Sequence, residues 1–148
     1  MILTNLLDSI ASALSDDVAI RLWAESKFEA DVLIQVGMDE HVPPDTFPNI
    51  VISDVWRSYD QRGLVRRYEI GIGAGVYSED VVDSGNIRKY SGFLLAEELI
   101  ELAEEAIYKL KLPNTNFTGE CSRNSFDNIF ATFTTFEVDA VSKFKAYR

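Results

Sequence analysis

The chain contains one cysteine, Cys121, and one histidine, His41. A lone cysteine cannot close an intrachain disulfide, so the core must hold the fold, and a cytosolic compartment fits. A lone histidine leaves no second imidazole for a His-based metal site and no evident triad partners. His41 sits in an acidic, proline-bounded stretch, where exposure is expected. Cys121 has Arg123 nearby to favour a thiolate, but no placed base to make it a nucleophile. Cations are scarce: 14 Lys and Arg stand against 24 Asp and Glu, a net charge of −10. That balance argues against simple nucleic-acid binding, which neutralises phosphates with cations. No apolar run approaches the ~18 residues of a membrane span. The start, Met1-Ile2-Leu3-Thr4, lacks the basic region of a secretion signal. No membrane partner is therefore expected.

What is present is a chain of 148 residues, 47% of them hydrophobic. That is enough for one domain, 1–148, with a proper core. Leu3, Leu6, Leu7, Ile10 and Leu14 recur at helical spacing and predict a helix over 3–15, capped by Thr4 or Asn5. Residues 17–36 read two ways. Alternation of Val18, Ile20 and Leu22, and of Val32, Ile34 and Val36, favours two short strands; a helix through Leu22, Trp23 and Phe28 is the alternative. The prolines from Val42 to Pro48 make a stiff extended loop. Two strands follow, 50–59 and 64–77, rich in β-branched and aromatic residues. Asp60-Gln61-Arg62-Gly63 joins them as a hairpin turn. Residues 78–90 read as a polar loop. Leu95, Leu99, Leu102, Ala103, Ala106 and Leu110 mark the buried face of a helix over 91–111, with Ser91 as its cap. Residues 113–127 read as a second polar loop, and 129–139 as a last strand. The basic end, 142–148, reads as a frayed tail. The expected fold class is α+β: a mixed, largely antiparallel β-sheet with a central hairpin, packed by an N-terminal helix and one long late helix.

Three patterns invite chemistry. Gly71-Ile72-Gly73-Ala74-Gly75-Val76 suggests a dinucleotide loop, but Val76 takes the third glycine position and no helix opens there. Glycines at every second residue instead clear one strand face, so that a helix or a neighbouring subunit approaches closely. Asp54 and Glu69, on adjacent strands, suggest a carboxylate-held divalent ion, but no lysine or further acid follows them. Surface pairing with Arg57 or Arg67 is the plainer reading. Glu97, Glu101 and Glu105 fall at i, i+4 and i+8, with Glu98 and Glu104 beside them, a repulsive spacing on a helix. The hairpin is by contrast mildly basic, holding Arg57, Arg62, Arg66 and Arg67. Basic hairpin and acidic helix form complementary surfaces, a candidate subunit or partner interface. No catalytic residue, metal ligand or cofactor is assigned.

The order of these elements resembles the tail-terminator, or minor tail, family of long-tailed phages and related prophages. The residues that carry it are the helix Leu3 to Leu14 and the proline-rich entry from Val42 through Pro48-Asn49-Ile50-Val51-Ile52. The strand Arg67-Tyr68-Glu69-Ile70-Gly71-Ile72, the late helix Ala96 to Leu110 and the closing strand Phe130 to Val138 complete it. The resemblance implies a non-enzymatic structural protein that forms rings, usually hexameric. Such a ring caps the head-proximal end of the tail tube, ends its growth and offers a docking surface to the head connector or neck protein. It implies assembly in the host cytoplasm and residence in the virion tail. In a ring, the glutamate stripe either meets the arginines of the next subunit or lines a lumen through which DNA slides. The acidic stretch 16–40 and the 78–90 segment depart from the family's texture. Two other classes stay open: a small acidic binding protein, such as an immunity protein or DNA mimic, and a carboxylate-metal enzyme built on Asp54 and Glu69.

Overall fold

A computed structural model describes residues 2–39, 41–59 and 65–141. The 60–63 turn and the 142–148 tail of the sequence reading lie outside the described residues.

The chain opens with helix α1 (Ile2–Asp16), which buries Ile10 and Leu14 completely. Thr4 and Asn5 lie inside this helix rather than capping it. Helix α2 (Val18–Phe28) follows, where strand alternation was favoured. The Asp17 carboxylate decides the matter locally: its Oδ1 accepts the Ile20 N–H at 3.0 Å, a side-chain cap for an otherwise unpaired donor. Ile20 and Ala24, four residues apart, are the buried positions, while Val18 and Leu22 are exposed. The apparent alternation therefore mixed core with surface.

Strand β1 (Leu33–Val36) runs parallel to β2 (Asn49–Tyr59), which pairs antiparallel with β3 (Val65–Tyr77) across a bulge between Ile52 and Asp54. A two-stranded hairpin, β4 (Val81–Ser84) and β5 (Ile87–Tyr90), leaves the end of β3. It occupies the expected polar loop. Helix α3 (Ser91–Lys109) starts directly after it. Its N-cap is Tyr90 without a side-chain cap, and the Ser91 hydroxyl instead bonds the Asp80 carboxylate. The second expected loop is also a strand, β6 (Asn116–Phe126), paired antiparallel with β7 (Ile129–Val141). Asp127 and Asn128 join them, both at positive φ (50° and 65°), a two-residue turn that Asn and Asp tolerate.

The main sheet has the order β1-β2-β3-β7-β6, parallel only at β1–β2. The fold is thus α+β with a mixed, largely antiparallel sheet. The three helices gather on one face of it. Alternation along β3 sends Tyr68, Ile70, Ile72, Ala74 and Val76 into that core. Phe136 and Val138 meet them from β7. The buried face of α3 is Ala96, Leu99, Ile100, Ala103, Ala106 and Ile107, with Leu95, Leu102 and Leu110 partly buried at its margins. Each fully buried Ile or Leu contributes roughly 1.5–3 kcal/mol. No helix among the described residues is long and apolar enough to cross a membrane.

Candidate functional site

The opposite sheet face carries the glycines. Gly71, Gly73 and Gly75 point there, between Asn49, Val51 and Asp54 of β2 and Ala131, Phe133 and Thr135 of β7. What approaches them comes from the same chain. A Cβ at Gly73 would sit 2.7 Å from the Phe133 ring, and one at Gly75 would sit 2.7 Å from Asn49 Oδ1. Buried Asn49 also donates its amide to Thr46 O at 2.9 Å, tying the proline loop to the sheet. Between loop and sheet lies an apolar groove of about 260 Å³, walled by Met38, Pro43, Pro44, Phe47, Val51 and Phe133 and floored by the two glycines. No described helix covers it.

Farther along this face, Arg67 Nε donates to Asp139 Oδ1 at 2.9 Å, and Asn114 Nδ2 donates to Oδ2 at 2.7 Å. Asp139 is only 8% exposed. The Arg67 hydrogen bond, opposed by burial and reinforced by Asn114, holds its carboxyl below the usual carboxylate range. Arg67, a predicted interface residue, thus has its counter-ion within the chain. Arg57 and Arg66 are different. Their guanidinium carbons lie 5.8 and 5.7 Å from the Tyr59 ring centroid, and neither makes an ion pair among the described residues. Arg66 Nε is buried with no hydrogen-bond partner among those residues. Arg62 lies outside the described residues.

The glutamate stripe also divides. Glu97 pairs with Arg123 of β6 and accepts Thr132 Oγ1 at 3.0 Å. The Arg123 hydrogen bond lowers its pKa. Glu98 Oε2 accepts the Trp23 indole N–H at 2.8 Å, joining α3 to α2. Glu104 is half-buried, and burial, with Glu101 and Glu97 nearby, raises its pKa. Glu101 and Glu105 are exposed and make no ion pair among the described residues. Of the predicted interface set, Arg57, Glu101 and Glu105 are exposed and Arg66 is half-buried, all without an ion pair among the described residues.

Asp54 and Glu69 share a sheet face but not a cross-strand pair: Asp54 lies opposite Gly71, and Glu69 opposite Trp56. Among the described residues, no group of three or more His, Cys, Asp or Glu converges to hold a metal. His41 is exposed, and its backbone N–H donates to Asp39 Oδ1. Cys121 is an exposed free thiol on the edge strand β6.

A cleft of about 590 Å³ was not foreseen. It lies between β5, the start of α3 and the β6–β7 pair, with Tyr90, Phe93 and Phe130 inside and Arg88, Lys89 and Arg123 around it. Its signal was Phe93-Leu94, two large apolar residues off the buried face of α3 and both exposed. Arg88 is held by Asp83 at 2.8 Å and Arg123 by Glu97, so two of the three cations are already neutralised.

No protein-family model matches the chain, and no curated protein matches it.

Proposed function

We propose that the chain is a non-enzymatic structural protein of a phage or prophage, whose copies form a ring on the head-proximal end of a tail tube. The ring ends tube growth and offers its other side to the head connector or neck protein. The observation that carries this reading is the sheet face that no described helix covers, where an apolar groove opens between the proline loop and the strands of an otherwise acidic chain. An apolar groove of this kind suits the side chains of a protein partner. The order of elements supports the tail-terminator resemblance, with strand pairs 49–59 and 65–77, helix 91–109 and closing strand 129–141 in sequence. A ring needs a heterologous contact, one patch meeting a different patch on the next copy. Arg57 and Arg66 on one copy and Glu101 and Glu105 on the next suit such a contact.

The test is assembly on tubes. Purified protein is added to polymerising tail tubes of the encoding phage or prophage, and tube ends and lengths are read by electron microscopy. Rings at one tube end, with growth arrested, support the reading. Tubes that lengthen unchanged, with bare ends, refute it.

The exposed acids of α3, Glu98, Glu101 and Glu105, favour a second reading, a small acidic protein that binds a basic partner. Binding of that kind weakens steeply with salt and needs no self-association.

A further inference from the structure

We infer that the β4–β5 hairpin of one copy seats on the helix-free sheet face of the next, with Val82 and Ile87 in the groove over Gly73 and Gly75 and Lys89 beside Asp45. The inference rests on the ring reading and names one contact that closes the ring.

The hairpin is short, and its strands pack on each other and on no other element to a comparable extent. An isolated two-stranded ribbon is marginal in water. All its paired residues are nonetheless exposed. Its register pairs Val81 with Tyr90, Val82 with Lys89, Asp83 with Arg88 and Ser84 with Ile87. Alternation then gives two faces. Val81, Asp83, Arg88 and Tyr90 form the first, which is engaged at home: Tyr90 lies 6.3 Å from the Phe130 ring and Arg88 holds Asp83. Val82, Ser84, Ile87 and Lys89 form the second. Val82 is 48% and Ile87 55% exposed, and Lys89, which also borders the home cleft, makes no ion pair among the described residues.

The groove supplies what that second face lacks. Its walls are apolar, and its volume of about 260 Å³ admits apolar side chains beside the Phe133 ring and the Asn49 amide that lie over the glycines. The proline loop that forms one wall carries Asp45, an exposed carboxylate without an ion pair among the described residues. The second face thus offers two apolar knobs and a cation, and the groove an apolar slot and an anion, neither charge having an ion pair among the described residues. Hairpin and groove are different patches, so the contact is heterologous and extends to a ring or a filament. The cleft on the other side of the hairpin is the weaker site for a free anion, because Asp83 and Glu97 already occupy its arginines.

The test uses the full chain in sedimentation velocity over a wide concentration range. Val82→Asp with Ile87→Asp is exposed in the single copy, so circular dichroism and melting should match wild type. The double variant should raise the midpoint concentration of assembly about a hundredfold. Lys89→Glu should weaken assembly, and adding Asp45→Lys to it should restore much of the loss. Mixing the hairpin-defective chain with an Ala131→Glu groove-defective chain should give dimers and nothing larger, because each pair keeps one intact contact. Wild-type rings with unchanged assembly of the Val82→Asp, Ile87→Asp chain would overturn this contact and leave the ring reading standing. The same unchanged rings that fail to cap tubes would assign the hairpin to the tube protein, also against the inference. A wild-type chain that stays monomeric to millimolar concentration would overturn both.

Discussion

Replacing Asp139 by Asn tests how the far end of the sheet is held. Asp139 is 8% exposed, takes Arg67 at 2.9 Å and Asn114 at 2.7 Å, and gives its own N–H to Pro113 O at 2.9 Å. It therefore fastens β7 to β3 and to the turn after α3. Asn fills the same space but removes the charge and turns one acceptor into a donor. Hydrogen bonds to a charged group are worth about 1.5–3 kcal/mol. Arg67 is half-exposed (54%), so solvent screening leaves its share small beside that of the buried carboxylate. With the Asn114 bond, the expected loss is about 2 kcal/mol, or a fall in melting temperature of roughly 4–8 °C for a chain this long. The pH dependence has a fixed sign. The folded pKa lies below the unfolded value of about 3.9. The contribution is then complete above that unfolded value and disappears as pH falls through the folded one. Urea titrations at neutral pH should separate wild type from Asp139→Asn by the full amount. Titrations at pH values falling through the folded pKa should bring the two together. A gap that persists unchanged in acid, or no gap at neutral pH, would refute the assignment of this stability to the charged network.

Further predictions concern helix α3 and the hairpin end. Gly92→Ala puts a methyl into the Phe130 ring; despite better helix propensity it should destabilise by about 1–3 kcal/mol in urea unfolding, and Phe130→Leu should remove most of that penalty. Glu104 has its pKa raised chiefly by burial, so its ionised form opposes folding, and stability is lost as pH rises through the folded pKa. Glu104→Gln should therefore stabilise the chain at neutral pH by a few tenths to about 1 kcal/mol, and the gain should vanish in acid. Arg57→Glu with Arg66→Glu should dissociate the proposed ring and lower the melting temperature of the single copy only slightly, through the lost Tyr59 contacts, and reversal of Glu101 and Glu105 should partly restore assembly. Arg67→Glu, by contrast, should lower monomer stability, since its partner is Asp139.

The parts of the fold legible in the sequence were those with a core to declare them. Tyr68, Ile70, Ile72, Ala74 and Val76 alternate because one face of β3 is buried under helices, and Leu99, Ala103 and Ala106 recur because α3 packs on that sheet. Strands β4, β5 and β6 bury little, being a free hairpin and a sheet edge, so no apolar alternation marked them. Their signals were in the turns: Gly85 at φ 62°, and Asp127-Asn128 with both residues at positive φ. Helix α2 was hidden because exposed Val18 and Leu22 imitated a strand, while Asp17, its cap, was the local sign to the contrary. The charge pattern identified the acids and bases. It did not tell that Arg67 and Glu97 find ion-pair partners at home while Arg57, Arg66, Glu101 and Glu105 find none among the described residues, because that depends on β3–β7 and α3–β6 neighbours far apart in sequence.

The most direct test of the ring is the mass of the wild-type chain in solution, by light scattering on a size-exclusion column across protein and salt concentrations, with electron micrographs of the largest species. The account predicts a closed, hexamer-sized ring in exchange with smaller species. A strict monomer at every concentration, binding a basic partner with strong salt dependence, would contradict it and favour the acidic binder.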